Sequence, residues 1–200
     1  MFGLFRKRNE VEAFWAWFEK NAGRITKAVN RQDQKVIIHE LGDRIGKAAP
    51  GVMHEIGRFD ANTVELILSA DGMRSNIPGV LALSRAAPRL EGFLFTAFRR
   101  RWSKPGLGIY DAHIGMEDLR YVAEDGGDGR LDLTLYLRGD WDERERNMIG
   151  FLMLDQALGE YDVMTGLGRV DIEPAGAVVQ GKPFAGLMAE FDAFRAETVH

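Results

Sequence analysis

The stretch Leu119-Arg-Tyr-Val-Ala-Glu-Asp-Gly-Gly-Asp-Gly-Arg-Leu-Asp-Leu-Thr-Leu-Tyr-Leu137 decides the fold class. Leu131, Leu133, Leu135 and Leu137 alternate with Asp132, Thr134 and Tyr136, the period-2 pattern of a strand with one buried face. Asp125-Gly-Gly-Asp-Gly129 supplies turn residues in front of it, and Leu119–Glu124 is again extended. Two strands joined by a tight glycine-rich turn make an antiparallel hairpin. A sheet assembled from hairpins is antiparallel or mixed, with helices laid on it, and this separates the chain from doubly wound parallel folds.

The regions on either side extend that reading. Upstream, Val52–Phe59 and Thr63–Ser69 flank the turn Asp60-Ala-Asn62 and form a second hairpin. A short helix is expected from Asn76 to Ala87, with Pro78 in its first turn, where proline is tolerated. Gly92–Arg101 reads as a strand. Phe93, Phe95 and Ala97 share one face, and Leu94, Thr96 and Phe98 share the other. Apolar groups on both faces predict a central strand covered on each side. Ile109–Ile114 is a short strand. Downstream, Asp140-Trp-Asp-Glu143 has capping-box spacing, and a helix is expected over Asp142–Leu158 with Gly159 as its C-cap. Tyr161–Met164 and Arg169–Glu173 read as extended, Pro174–Gly181 as a loop, and Pro183–Ala196 as a last helix.

The N-terminal quarter is helical. Val11, Trp15, Phe18, Ala22, Ile25 and Val29 recur at helical spacing, and Phe14 and Trp17 widen the stripe. A second helix begins near Asp33, read as its N-cap, and carries Ile37, Ile38, Leu41, Ile45 and Ala48 until Pro50-Gly51 ends it. The fold predicted is α+β: an N-terminal αα-hairpin over residues 1–50, then a mostly antiparallel, mixed sheet with packed helices over 51–200, read as a single domain. The hairpin must bury its stripes against a sheet or a second subunit, so self-association through the N-terminal helices is one expectation.

Composition narrows the function classes. With 46% apolar and 28% charged residues the chain can bury a core and is not disordered. It has no cysteine, which removes disulfide scaffolds, thiolate metal sites and thiol nucleophiles. No apolar run approaches a membrane span. Phe2, Leu4 and Phe5 precede Arg6-Lys7-Arg8, the reverse of a secretory signal, and a cytoplasmic location is expected. The net charge of −4 hides a split. Residues 1–102 hold 17 basic and 11 acidic side chains, and residues 103–200 hold 9 and 19. Net acidity counts against general nucleic-acid binding.

Motifs with known chemistry are absent. Gly106-Leu-Gly108 and Gly166-Leu-Gly168 lack the third glycine of a dinucleotide fingerprint, and there is no P-loop lysine motif or serine elbow. Asp125–Asp132 misses the calcium-loop patterns and reads as a hairpin turn. His39, His54, His113 and His200 have no metal-ligand spacing, so no metal and no cofactor is expected. The candidate site is a charge cluster. In a strand running through Arg101, Arg99 and Arg101 share a face, and Arg100 and Trp102 share the other. Arginine forks suit carboxylates and phosphates. Asp155, Glu160 and Asp162, around the end of the long helix, are the expected counter-charges or, alternatively, an acid–base or metal-ligand set.

Phe14-Trp-Ala-Trp-Phe18, Leu68-Ser-Ala-Asp-Gly72, Ala86-Ala-Pro88, Ala97-Phe-Arg-Arg100 and Leu154-Asp-Gln-Ala-Leu-Gly-Glu-Tyr161 together give the chain a resemblance to an uncharacterised family of bacterial proteins. The resemblance implies a bacterial cytoplasmic setting and a helical hairpin before an α/β body, and it carries no catalytic residues. Three functions stay open: a non-enzymatic interaction or regulatory module, the leading expectation; a hydrolase of small anionic or phosphorylated substrates working through the Arg/carboxylate cluster; and RNA binding through Arg99–Trp102.

Overall fold

The computed structural model describes residues 2–176 and 181–198. The fold is α+β, and the chain forms two compact units, Met1–Arg99 and Arg100–His200.

In the first unit, helix α1 (Phe2–Asn30) and helix α2 (Lys35–Ala48) form the expected hairpin. Asp33, expected to cap α2, instead helps close α1. Gln32 takes the left-handed conformation (φ 56°), and Asp33 N–H reaches back to the Ala28 carbonyl at 3.1 Å. The N-cap of α2 is Gln34, which makes no side-chain cap bond. Ile37, Leu41, Ile45 and Ala48 are buried, whereas Ile38 lies off their stripe and is exposed.

Strands β1 (Met53–Arg58) and β2 (Val64–Ser69) pair antiparallel, from Met53 opposite Ser69 to Arg58 opposite Val64. Asp60 Oδ1 holds the turn by accepting from the N–H groups of Asn62 (2.7 Å) and Thr63 (2.8 Å). Helix α3 (Ile77–Arg85) then crosses to β3 (Phe93–Ala97), which lies parallel to β2. The sheet order is β1-β2-β3. The strand expected to be central is therefore an edge, and β2 is central. The crossover lays β3 on the side of β2 away from β1, and among the described residues no further strand pairs beyond it. The apolar character of β3 comes from α1. Phe95 meets Trp15 (ring centroids 4.7 Å) and Phe18 (5.2 Å), and Phe93 meets Phe18 (5.2 Å). Trp15 Nε1 donates to the Leu83 carbonyl at 3.0 Å, joining α1 to α3.

The second unit opens with the hairpin β4 (Gly106–Ile109) and β5 (Ala112–Gly115), two strands where one was expected over Ile109–Ile114. Strands β6 (Leu119–Asp125) and β7 (Leu131–Leu137) form the antiparallel hairpin read from the sequence, and the four alternating leucines of β7 are buried. Helix α4 (Glu143–Leu158) starts at a capping box two residues later than expected, with Asp142 and Glu145 as its members. Gly159 (φ 84°) ends α4 as expected, because its left-handed backbone turns the chain without a Cβ penalty.

The segment after Gly159 is helical rather than extended. Glu160–Gly166 is helix α5, with Val163 and Met164 buried, so apolar neighbours that fit a short strand are used at helical spacing. Strand β8 (Leu167–Pro174) runs parallel to β7. Strand β9 (Lys182–Pro183) pairs with β6, and helix α6 (Leu187–Thr198) starts later than the Pro183 expected. The sheet order is β8-β7-β6-β9. Of the loop expected over Pro174–Gly181, Pro174 ends β8, and residues 177–180 lie outside the described residues. Inward-facing leucines of β7 pack with Ile149, Met153, Leu154 and Leu158 of α4 and with Leu187 and Phe191 of α6.

Candidate functional site

The six residues singled out by charge fall into different local settings. Strand β3 stops at Ala97. Phe98 then adopts φ 65° while its N–H still donates to the Leu68 carbonyl at 2.8 Å. The alternation that would have put Arg99 and Arg101 on one strand face therefore ends before either is reached. Arg99 belongs to the first unit, where its Nε donates to Glu55 and its Nη2 lies 3.8 Å from Asp71.

Arg101 belongs to the second unit and is a junction. Its Nε donates to the Leu158 carbonyl (2.5 Å), Nη1 to Asp192 (2.7 Å) and Nη2 to Asp162 (2.9 Å). Its guanidinium also lies 5.7 Å from the centre of the Phe191 ring. One arginine thus ties the C-terminal end of α4, the first turn of α5, and α6. Of the predicted counter-charges, Asp162 meets Arg101, while no motif pointed to Asp192. Asp192 follows the core residue Phe191 on α6, and only the docking of that helix brings it to Arg101.

The remaining candidates are built into the α4–α5 corner. Trp102 N–H donates to the Gln156 carbonyl at 2.7 Å, and Gly106 N–H donates to Gln156 Oε1 at 2.8 Å. This fixes the start of the unit against the last turn of α4. The Trp102 side chain is 60% exposed. Asp155 is half-buried on α4, and its carbonyl accepts from Gly159 N–H at 2.9 Å. Glu160, the first residue of α5, is fully buried.

The acidic hairpin turn is spent on backbone. Asp125 accepts from Gly127 N–H (2.8 Å), Asp128 from Arg130 N–H (3.2 Å), and Asp132 from Arg169 N–H (2.7 Å). Among the described residues no group of three or more His, Asp or Glu side chains could hold a metal ion. His39 and His113 are exposed, His54 is half-buried, and His200 lies outside the described residues.

Three features had no sequence signal. Tyr121, buried at 1% exposure, donates its hydroxyl to Glu190 Oε2 at 2.6 Å, and Lys182 Nζ meets both oxygens of Glu190 at 2.8 Å. Burial, and then the Glu190 carboxylate, push the Tyr121 phenol well above its usual range. Burial acts against ionised Glu190, but the bonds from Lys182 and Tyr121 outweigh it and hold this carboxyl below the usual value.

The second feature is Tyr110, at the turn between β4 and β5, with φ 52° and 82% exposure. The third is a cavity of about 580 Å³ in the first unit, lined by Val11, Ala48, Ala49, Pro78, Gly79 and Ala82. Polar wall residues are few, and the amide of one, Asn76, is spent on the Gly51 and Ala70 carbonyls (2.7 and 3.2 Å).

No family model, no curated protein and no solved structure matches this chain. Among the described residues, no helix is long and apolar enough to cross a membrane.

Proposed function

We propose that the protein is a non-catalytic interaction module whose contact residues lie in the second unit. The observation that carries this reading is Tyr110. It occupies a left-handed backbone position that favours glycine or asparagine, and it presents 82% of its surface to solvent. A bulky side chain there costs stability, and so little of it is buried that the fold recovers little in return. Strain held at an exposed aromatic residue fits a role in recognition. Trp102 at 60% exposure, and Met148 and Phe151 on α4 at 44% each, add residue types that anchor interfaces.

The expectation of self-association through the aromatic face of α1 finds less support. Phe14, Trp15 and Phe18 are used inside the first unit, at 2%, 4% and 0% exposure. Arg101 is committed to its own carboxylates, which favours a structural over an anion-binding role for it. A bacterial cytoplasmic setting belongs to the same proposal and rests on the sequence resemblance alone.

The test uses the full chain with a photo-crosslinking phenylalanine analogue at position 110 and, as control, at exposed Lys27. Position 110 is expected to trap a discrete adduct, with a second copy or with another macromolecule, that position 27 does not. In parallel, Tyr110→Gly relieves the backbone and is expected to stabilise the free protein by about 0.5–1 kcal/mol in chemical denaturation. Equal, non-specific labelling at both positions would overturn the reading. So would a Tyr110→Gly protein less stable than the parent, because the tyrosine would then serve the fold.

A further inference from the structure

We propose that His54 is an acid-sensitive clasp that holds α2 on the sheet of the first unit and releases it when the ring is protonated. His54 sits on β1 opposite Leu68 of β2. By the alternation of the strands it shares the sheet face of Ile56, Leu66, Phe93 and Phe95, the face that meets the α1 aromatics. Its ring meets α2 at Gly42, where an added Cβ would lie 3.5 Å from His54 Cε1. Nε2 is sealed from water and has no hydrogen-bond partner among the described residues.

The Ile38 backbone of α2 favours the charged ring and offsets part of the cost of its burial. With Nε2 sealed off, Nδ1 is the ring nitrogen that can carry the proton of the neutral form. A second proton on Nε2 would bury a donor and a positive charge with no acceptor.

The surroundings offer that charge little relief. From β1 itself, the charge of Glu55 acts on the ring, and its side chain lies on the opposite sheet face. β2 presents Leu68. On α2, Glu40 is held by Arg24 and Arg44 lies over the Trp17 ring, while His39, Asp43 and Lys47 are exposed. On α1, Glu12, Glu19, Lys20, Arg24 and Lys27 are exposed. Burial accordingly holds the His54 pKa below the ordinary histidine value, with the Ile38 backbone and Glu55 offsetting only part of the effect.

Proton linkage sets the direction. The opened state binds the proton at a higher pH than the closed one. The clasp is at full strength above the free-histidine range near 6.5 and weakens as pH falls through the lower closed-state value. Helix α2 is set off from its neighbours by left-handed residues at Gln32 (φ 56°) and Gly51 (φ 87°). Its release would bare the stripe Ile37, Leu41 and Ile45. Acid thereby gates an apolar surface.

The test is amide hydrogen exchange on the full chain between pH 7.5 and 5, expressed as protection factors. Protection over Ile37–Ala48 is expected to fall by about threefold or more relative to β7. His54→Gln, which cannot take the second proton, is expected to remove that fall. Parallel profiles in parent and variant would overturn the proposal. If His54→Gln fails to fold, the ring is titrated directly by NMR in the parent. A His54 that titrates at or above about 6.5 overturns the proposal, and one that titrates below it while α2 protection falls in step supports it.

Discussion

Residues 53–97 and residues 119–174 follow the same chain path with different contents. Each is an antiparallel hairpin, then a helical crossover, then a third strand laid parallel beside the second: β1-β2-α3-β3 in the first unit, and β6-β7-α4-α5-β8 in the second. The helices added to each path differ. The first unit takes α1 and α2 from before its hairpin, and α1 fills the space over the sheet with Trp15 and Phe18 against Phe93 and Phe95, and with Phe14 against Trp15 and Phe18. The second takes α6 from after its last strands and fills its core chiefly with leucine and isoleucine around three buried rings, Tyr121, Phe184 and Phe191.

Charge separates the two as well. Residues 1–99 hold 15 basic and 11 acidic side chains, and residues 100–200 hold 11 and 19. Path and filling are thus independent. Backbone hydrogen bonding and the need for a crossover between parallel strands set the path. The elements that cover the sheet set the side chains.

The largest expected effect probes the aromatic filling. Phe18→Ala removes a ring at 0% exposure that touches Trp15, Phe93 and Phe95, and is expected to cost about 3–5 kcal/mol in denaturant unfolding. Hydrogen exchange should place the loss in α1 to β3. A loss spread evenly over both units would break the comparison.

Gly150→Ala tests how closely a helix approaches a strand in the second unit. A Cβ at this position of α4 would run into Ile172 of β8. Alanine in place of glycine normally favours a helix by about 1 kcal/mol, and overpacking costs about 1–3 kcal/mol. A net loss of up to about 2 kcal/mol is expected, with partial restoration by the second change Ile172→Val, which removes Cδ1, the atom a Cβ would approach most closely. A gain in stability would show that the helix can shift outward.

Tyr121→Phe probes a buried hydroxyl in the aliphatic core, and a loss of about 1–2 kcal/mol is expected at neutral pH. Because Glu190 is held below its usual range, this contribution is present above the ordinary carboxylate value and fades as pH falls through the native one. The difference between parent and variant should therefore shrink in acid. Since the His54 clasp also weakens in acid, the pH profile of exchange should differ between the two units even in the parent.

Much of the local structure was legible because it depends on spacing alone. The β6–β7 hairpin, the α1 stripe and the glycine end of α4 each rest on the period of apolar residues or on one residue's backbone freedom. Local spacing is ambiguous where two signals compete. Asp140 and Asp142 both precede a glutamate by three residues, and the second is the cap because the helix begins at Glu143. Tyr161–Met164 is short enough to suit either period, and the restart after Gly159 makes it helix.

The candidate site was less legible. Arg99 and Arg101 share a face only in a strand that continues, and Phe98 turns out of it. The unit boundary between Arg99 and Arg100 carries no linker composition, so nothing in the residue order announced it.

Residue order alone settled the class of fold, the helical hairpin at the start and most of the residues that face inward along each element, because burial periodicity is a property of one segment and its own geometry. Packing was needed to settle that β2 rather than β3 is central, that Arg101 is shared between Asp162 and Asp192, that Tyr121 reaches Glu190, and that His54 Nε2 is left without a partner among the described residues. Each of these depends on residues far apart in the chain. Such meetings are set by the order in which strands pair and by the face each helix turns inward, and no local spacing encodes either.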